Sequence, residues 1–189
     1  DLAILRAFAR ILGHEARDVL ERPFVHYIGN QPKKAQAHFY GLREALPGLR
    51  GIAVYDRFEG GPPFDPTLRQ EAWRRREIEN YLCQEAPLLR WAEEQGRSQE
   101  AGDLFVASWR NAMKTSIDEI ASALAALGKH GPWSADVKAS DDFLDPLFTR
   151  FYATLGLPNL MQKTDYHTLA PYVAPEELDP EVREKLDAI

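Results

Sequence analysis

A mixed α/β fold, with a small parallel sheet flanked by helices and followed by a helical C-terminal extension, is what this sequence predicts, on three observations. Helical and strand-like hydrophobic periodicities alternate through the first half. One apolar run there, GIAVYD, is bounded by glycine in the manner of a buried parallel strand. The second half carries helical spacing only. The implied division is an α/β core over residues 1–101 and a helical extension over 102–189.

Taken in order, Leu2, Leu5, Phe8, Ala9 and Leu12 recur at three- and four-residue intervals before Gly13, which predicts an opening helix. Residues 24–29, FVHYIG, read as a short strand. Pro32 begins a second helix carrying Ala35, Phe39, Leu42 and Leu46, stopped by Pro47-Gly48. Residues 51–56, GIAVYD, supply the buried strand, and ligands gather at the C-terminal ends of such strands. The polar, turn-rich RFEGGPPFDP leads into WRRREIENYL, read as a strand over 73–78 and a helix over 79–95 that Pro87 divides. The strongest helical signal covers 103–127, with Phe105, Trp109, Ala112, Met113, Ser116, Ile120 and Leu124 near one face and Gly128 at the end. A connector over 131–140, a helix over 142–155 and two short helices over 164–172 and 180–189 complete the chain, without internal repeat or low-complexity tract.

A chain of 189 residues can bury one sizeable core plus an appendage, and 44% hydrophobic with 28% charged residues is globular composition. No stretch approaches the roughly 20 apolar residues of a membrane helix, so no membrane partner is expected. The opening residues lack a secretory leader's basic and apolar segments, and the single Cys83 permits neither an internal disulfide nor a structural zinc cluster, so a reducing cytoplasm is expected. A net charge of −6 and a pI near 5.4 argue against a simple basic nucleic-acid-binding module. They are compatible with a metal nuclease, because carboxylates that hold Mg²⁺ make the free protein acidic while the ion supplies the positive charge.

Asp56 directly follows the buried strand, where a ligand-binding carboxylate is expected; the alternative is a turn or cap residue. Glu77 and Glu79 flank Ile78, so on a strand both would point to one face and could share a hard cation. Equally, they form a solvated face on which Glu79 is the N-cap or first-turn acid of the next helix. Arg74, Arg75 and Arg76 are either phosphate contacts or salt-bridged surface residues. The five histidines lack ligand spacing, no Gly-rich phosphate loop or nucleophile elbow is present, and Cys83 reads as core. The aromatic residues Phe105, Trp109, Phe148, Phe151 and Tyr152 are either ordinary core or a docking surface for a homo-oligomer.

The runs GIAVYDRF, WRRREIENYL and KTDYHTLAPYVAPEELDPEVREKLDAI together resemble the Toprim domain of OLD-family and related AAA ATPase-associated nucleases, and DLAILRAFARILG resembles the helix after that family's first strand. The likeness covers nearly the whole chain and implies a Toprim-like sheet whose first strand, ending in Glu-Gly, lies upstream of Asp1. It implies metal ligation by Asp1, Asp56, Glu77 and Glu79, with Mg²⁺ or Mn²⁺ as cofactor. Catalytic roles fall to Asp56, Glu77 and Lys163, the last as a cation near the transferring phosphate. Arg57, Arg74, Arg75 and Arg76 are the expected nucleic-acid contacts. Phe58 stands where the family's Asp-x-Asp motif has its second aspartate, with Glu59 beside it. The implied activity is two-metal phosphodiester hydrolysis of nucleic acid, DNA before RNA, in concert with an AAA-type ATPase in cis or in trans, in DNA repair or anti-phage defence. The alternative is a catalytically degenerate module that binds nucleic acid or a partner protein.

Overall fold

The computed structural model describes residues 1–99 and 103–189, the side chains of 103 and 104 apart. The boundary expected at 101/102 lies outside the described residues. The chain opens as α1 (Leu2–Ile11), whose apolar positions Ile4, Leu5, Phe8 and Ala9 are buried and which ends before Gly13 in a left-handed conformation. α2 (Ala16–Glu21) and α3 (Pro32–Ala45) follow, the latter with proline in its first turn, where no intrahelical N–H is lost.

The sheet has two strands, β1 (Ile52–Tyr55) and β2 (Arg69–Ala72), paired in parallel with Ile52 opposite Arg69 and Tyr55 opposite Ala72. The pleat sends Ala53 and Tyr55 to one side, into a small cluster with Ala35, Phe39 and Leu68, while Val54 packs on the main core. The sheet is therefore covered on both faces, as a parallel pair requires.

Helices make up the rest: α4 (Glu85–Arg97), α5 (Asp103–Ala126), α6 (Asp145–Thr154) and α7 (Pro180–Asp187). Between them lie a 3₁₀ turn at Ile78–Tyr81, a π-helical turn at Ala139–Leu144 and a longer 3₁₀ stretch at Lys163–Tyr172. α4 lies directly along α5 at Gly96, where a Cβ would come within 3.0 Å of the Phe105 carbonyl and 3.1 Å of the Trp109 side chain. The main core then runs without a break from α1 through α4, α5 and α6 to α7. Trp91 and Trp109 meet Phe151 edge-on at 5.7 and 5.6 Å, and Trp91 meets Phe148 at 5.1 Å. Those aromatic residues are buried inside this chain, apart from Phe105, which stays exposed.

Two strand expectations fail. Residues 24–29 form no strand: Gly29 and Asn30 both turn left-handed, and Phe24 and Tyr27 stay 79% and 70% exposed. In place of a strand neighbour the segment finds α3, where His26 stacks on His38 at 3.9 Å. Residues 73–78 are not a strand either, because the ladder occupies the preceding RQEA and closes with Trp73 N–H donating to Tyr55 O at 3.0 Å. Beyond Trp73 the backbone is claimed elsewhere, Arg74 N by the Glu181 carboxylate at 2.7 Å and Arg76 N by Ala135 O at 2.9 Å. Of the helix expected over 79–95, only α4 is α-helical, with Pro87 in its first turn.

Candidate carboxylate site

The C-terminal end of β1 delivers Asp56. One residue on, Arg57 N–H donates to Arg76 O at 3.1 Å, so the chain that bulged away after Trp73 rejoins the sheet end there. Asp56 is thereby set beside Glu77, close enough that the two carboxylates act on each other electrostatically. Glu79 lies in the same neighbourhood, in the first turn of the 3₁₀ segment. The start of α1 lies close to Asp56 and Glu79. Asp56, Glu77 and Glu79 are thus neighbours, though not by the geometry expected from the sequence. Glu77 and Glu79 do not share a strand face; Glu77 caps a 3₁₀ turn and Glu79 is its first-turn acid.

The electrostatics are those of a crowded anionic site. Asp56 keeps solvent on one side, but the protein behind it desolvates its carboxyl and Glu77 repels its charge, so its pKa is raised above the ordinary aspartate value. Burial likewise raises Glu79, with Glu77 and Asp56 adding to it. Among the described residues, neither has an ion-pair partner within 4.0 Å. Glu77, only 7% exposed, spends one oxygen on the Ser140 N–H at the start of the π-helical turn. Asn80 locks the turn in place, accepting from Glu77 N at 2.9 Å and donating to Ser134 O and Val137 O at 3.2 and 3.0 Å.

Lys138, which no sequence pattern marked, is a cation close enough to lower Asp56, and it is itself raised chiefly by Asp141 and to a lesser degree by Glu77. Lys163 stands one step behind: it pairs with Asp141, which Lys138 also grips, and with Asp145 at 3.2 Å. Held between two ammonium groups, Asp141 is lowered to about 2.

The arginines divide into two groups. Arg57 pairs with Asp136 at 2.6 Å, and Arg76 donates to the Asp136 carbonyl at 3.2 Å. Arg74 grips Glu184 at 2.7 Å and Arg75 approaches Asp179 at 3.4 Å, so both face the C-terminal helix. No continuous basic face results. Phe58 packs edge-on to Tyr55 at 5.7 Å and plugs the small cluster beside the sheet, while Glu59 is exposed in a turn.

All the candidate donors are carboxylate oxygens, the chemistry that Mg²⁺ and Mn²⁺ prefer. Among the described residues, however, no three His, Cys, Asp or Glu side chains are disposed as a ready coordination group. Asp56 and Glu79 would have to turn toward Glu77 to hold an ion. Among the described residues, no helix is long and apolar enough to cross a membrane. Comparisons with family models, with curated proteins and with solved structures returned no match.

Proposed function

We propose that the chain is a Toprim-like module acting in divalent-metal-dependent hydrolysis of nucleic-acid phosphodiesters, in concert with an AAA-type ATPase. One observation supports this reading: Asp56, Glu77 and Glu79, drawn from two separate stretches of chain, lie near enough at the C-terminal end of a parallel strand for their charges to repel, with little positive charge to offset them. Asp56, Glu79 and Glu77 would hold Mg²⁺ or Mn²⁺, with Asp1 at the rim. A bound ion there would lower the pKa of an attacking water and neutralise charge on the phosphate. Lys138, supported through Asp141 by Lys163, would steady the substrate phosphate, and Asn80 keeps Glu77 in position.

A second reading, a module that binds nucleic acid or protein without cutting, is favoured by the commitment of Glu77 to Ser140 and by Phe58 acting as an apolar plug. A cleavage assay on single- and double-stranded DNA and on RNA, with Mn²⁺ or with chelator, separates the two. Hydrolysis that needs Mn²⁺ and falls at least about 100-fold in Asp56→Ala supports the first. Mn²⁺ binding and cleavage that are both indifferent to Asp56→Ala would sink it.

A further inference from the structure

On the far side of the 3₁₀ turn from Glu79 lies an open groove of about 410 Å³, between the start of α4, the connector at 131–138 and the segment leading into α7. Its walls include Arg75, Tyr81, Gln84, Trp133 and Asp179. The volume falls within the roughly 300–1,000 Å³ of small-molecule and cofactor sites.

Two residues give it a chemistry. Trp133 is 40% exposed, whereas Trp73, Trp91 and Trp109 are all buried. Its ring meets Phe143 edge-on at 5.3 Å, a contact that fixes the indole. Arg75 lies with its guanidinium 5.3 Å from the Tyr81 ring centroid and makes one long contact, 3.4 Å, with Asp179. A guanidinium has five N–H donors, so most of this fork is available to an incoming oxyanion. The carboxylates that also line the groove are already occupied: Glu177 by Arg90, Glu85 by Lys114 at 3.2 Å, and Asp179 by the Glu181 N–H at 3.0 Å as well as by Arg75.

We infer that this groove binds one unpaired nucleotide of a single-stranded nucleic acid, its base against Trp133 and its phosphate on Arg75. The inference rests on the nuclease reading for its substrate class and extends it to a strand preference. An indole face accepts any base and a guanidinium fork any phosphate, the pairing by which single strands are held without sequence choice. The connector joins groove to acids: Trp133 begins it and Lys138, beside Asp56 and Glu77, ends it. Five residues of chain span at most about 18 Å. A strand anchored at Trp133 would thus place a phosphodiester a few nucleotides away at the carboxylates.

Because the other three tryptophans are buried away from any ligand, a ligand-dependent change in intrinsic fluorescence reports on Trp133. Titrating the full chain with oligothymidylate in chelator should quench it, and Trp133→Phe should remove the quench. Trp133→Ala and Arg75→Gln should each weaken binding about tenfold or more, with urea midpoints checked to show that both variants fold. Arg75→Gln should also reduce the slope of log affinity against log salt by about 0.7. Quenching without Mn²⁺-dependent cleavage keeps the groove and removes the nuclease reading. Cleavage without quenching, unchanged affinity in both variants, or no oligothymidylate binding overturns the groove. Quenching by an acidic peptide but not by oligothymidylate also overturns it, in favour of a protein ligand.

Discussion

Glu181 on α7 provides a quantitative test of how the C-terminal helix holds the site together. It is 1% exposed; one oxygen accepts the Arg74 N–H at 2.7 Å and the other accepts the Tyr81 hydroxyl. Lys185 is 3.7 Å away, but Glu71 holds it independently at 2.9 Å. Arg74 Nε also approaches the second oxygen at 3.4 Å but its guanidinium keeps Glu184 at 2.7 Å, so Glu181→Ala orphans two donors, one main-chain and one phenolic, and leaves Lys185 and the Arg74 side chain paired. At roughly 1–3 kcal/mol for each buried group left unsatisfied, the loss is about 3–4 kcal/mol. For a chain of this size that lowers Tm by roughly 10 °C. Glu181→Gln keeps an acceptor oxygen and should cost about half as much. In a Tyr81→Phe background the Glu181→Ala penalty should shrink by about 1–2 kcal/mol, since one of the two orphans no longer exists. Urea unfolding followed by circular dichroism measures all four corners of the cycle. A Glu181→Ala chain within about 1 kcal/mol of the parent, or a cycle with no coupling, would mean that neither donor depends on Glu181.

Two further outcomes follow from the same geometry. Asp56 has its pKa raised in the folded chain, so its contribution to stability is present below the unfolded value and lost as pH rises through the folded one. Asp56→Asn should accordingly melt above the parent at neutral pH without divalent cation, the gap closing as pH falls below the ordinary aspartate range; a parent that melts higher at neutral pH contradicts the crowding. Gly96→Ala should destabilise by about 1–3 kcal/mol, because its Cβ would press on the Phe105 carbonyl and the Trp109 side chain, and a neutral result in urea unfolding would mean that α4 and α5 separate freely there.

How much of this was legible in the sequence depended on whether the deciding contact was local. The long helices were legible because each buries one stripe at helical spacing, as Phe8 and Ala9 do in α1 and Trp109, Ala112 and Met113 do in α5; the six-residue α2 is too short to show such a stripe and was not expected, and the stretch over 164–172 winds as a 3₁₀ helix. β1 was legible from its apolar run. β2 was not: RQEA has no apolar signature, since its side chains are half-exposed or exposed and its place is fixed by the backbone ladder to β1. FVHYIG has strand composition but no neighbouring strand, and composition cannot supply one. Asp56 could be found from its position after β1. Lys138 and Glu181 could not, because each acts on a residue more than 60 positions away, Lys138 on Glu77 and Asp56, Glu181 on Arg74 and Tyr81.

The two sets of acids nevertheless bear on each other. Glu181 is more deeply buried than Asp56 or Glu79, yet it is fully partnered and serves the fold. Asp56 and Glu79 are less buried, but desolvation and mutual repulsion raise both, and among the described side chains Lys138 is the cation that offsets Asp56. A chain arranged for stability alone would separate these carboxylates or give each an arginine, as Glu184 has Arg74 and Asp136 has Arg57. Nearby arginines are instead spent on other acids. The cost left at Asp56 and Glu79 is therefore of the kind an added cation would relieve, and relief of that cost is itself binding energy for the cation.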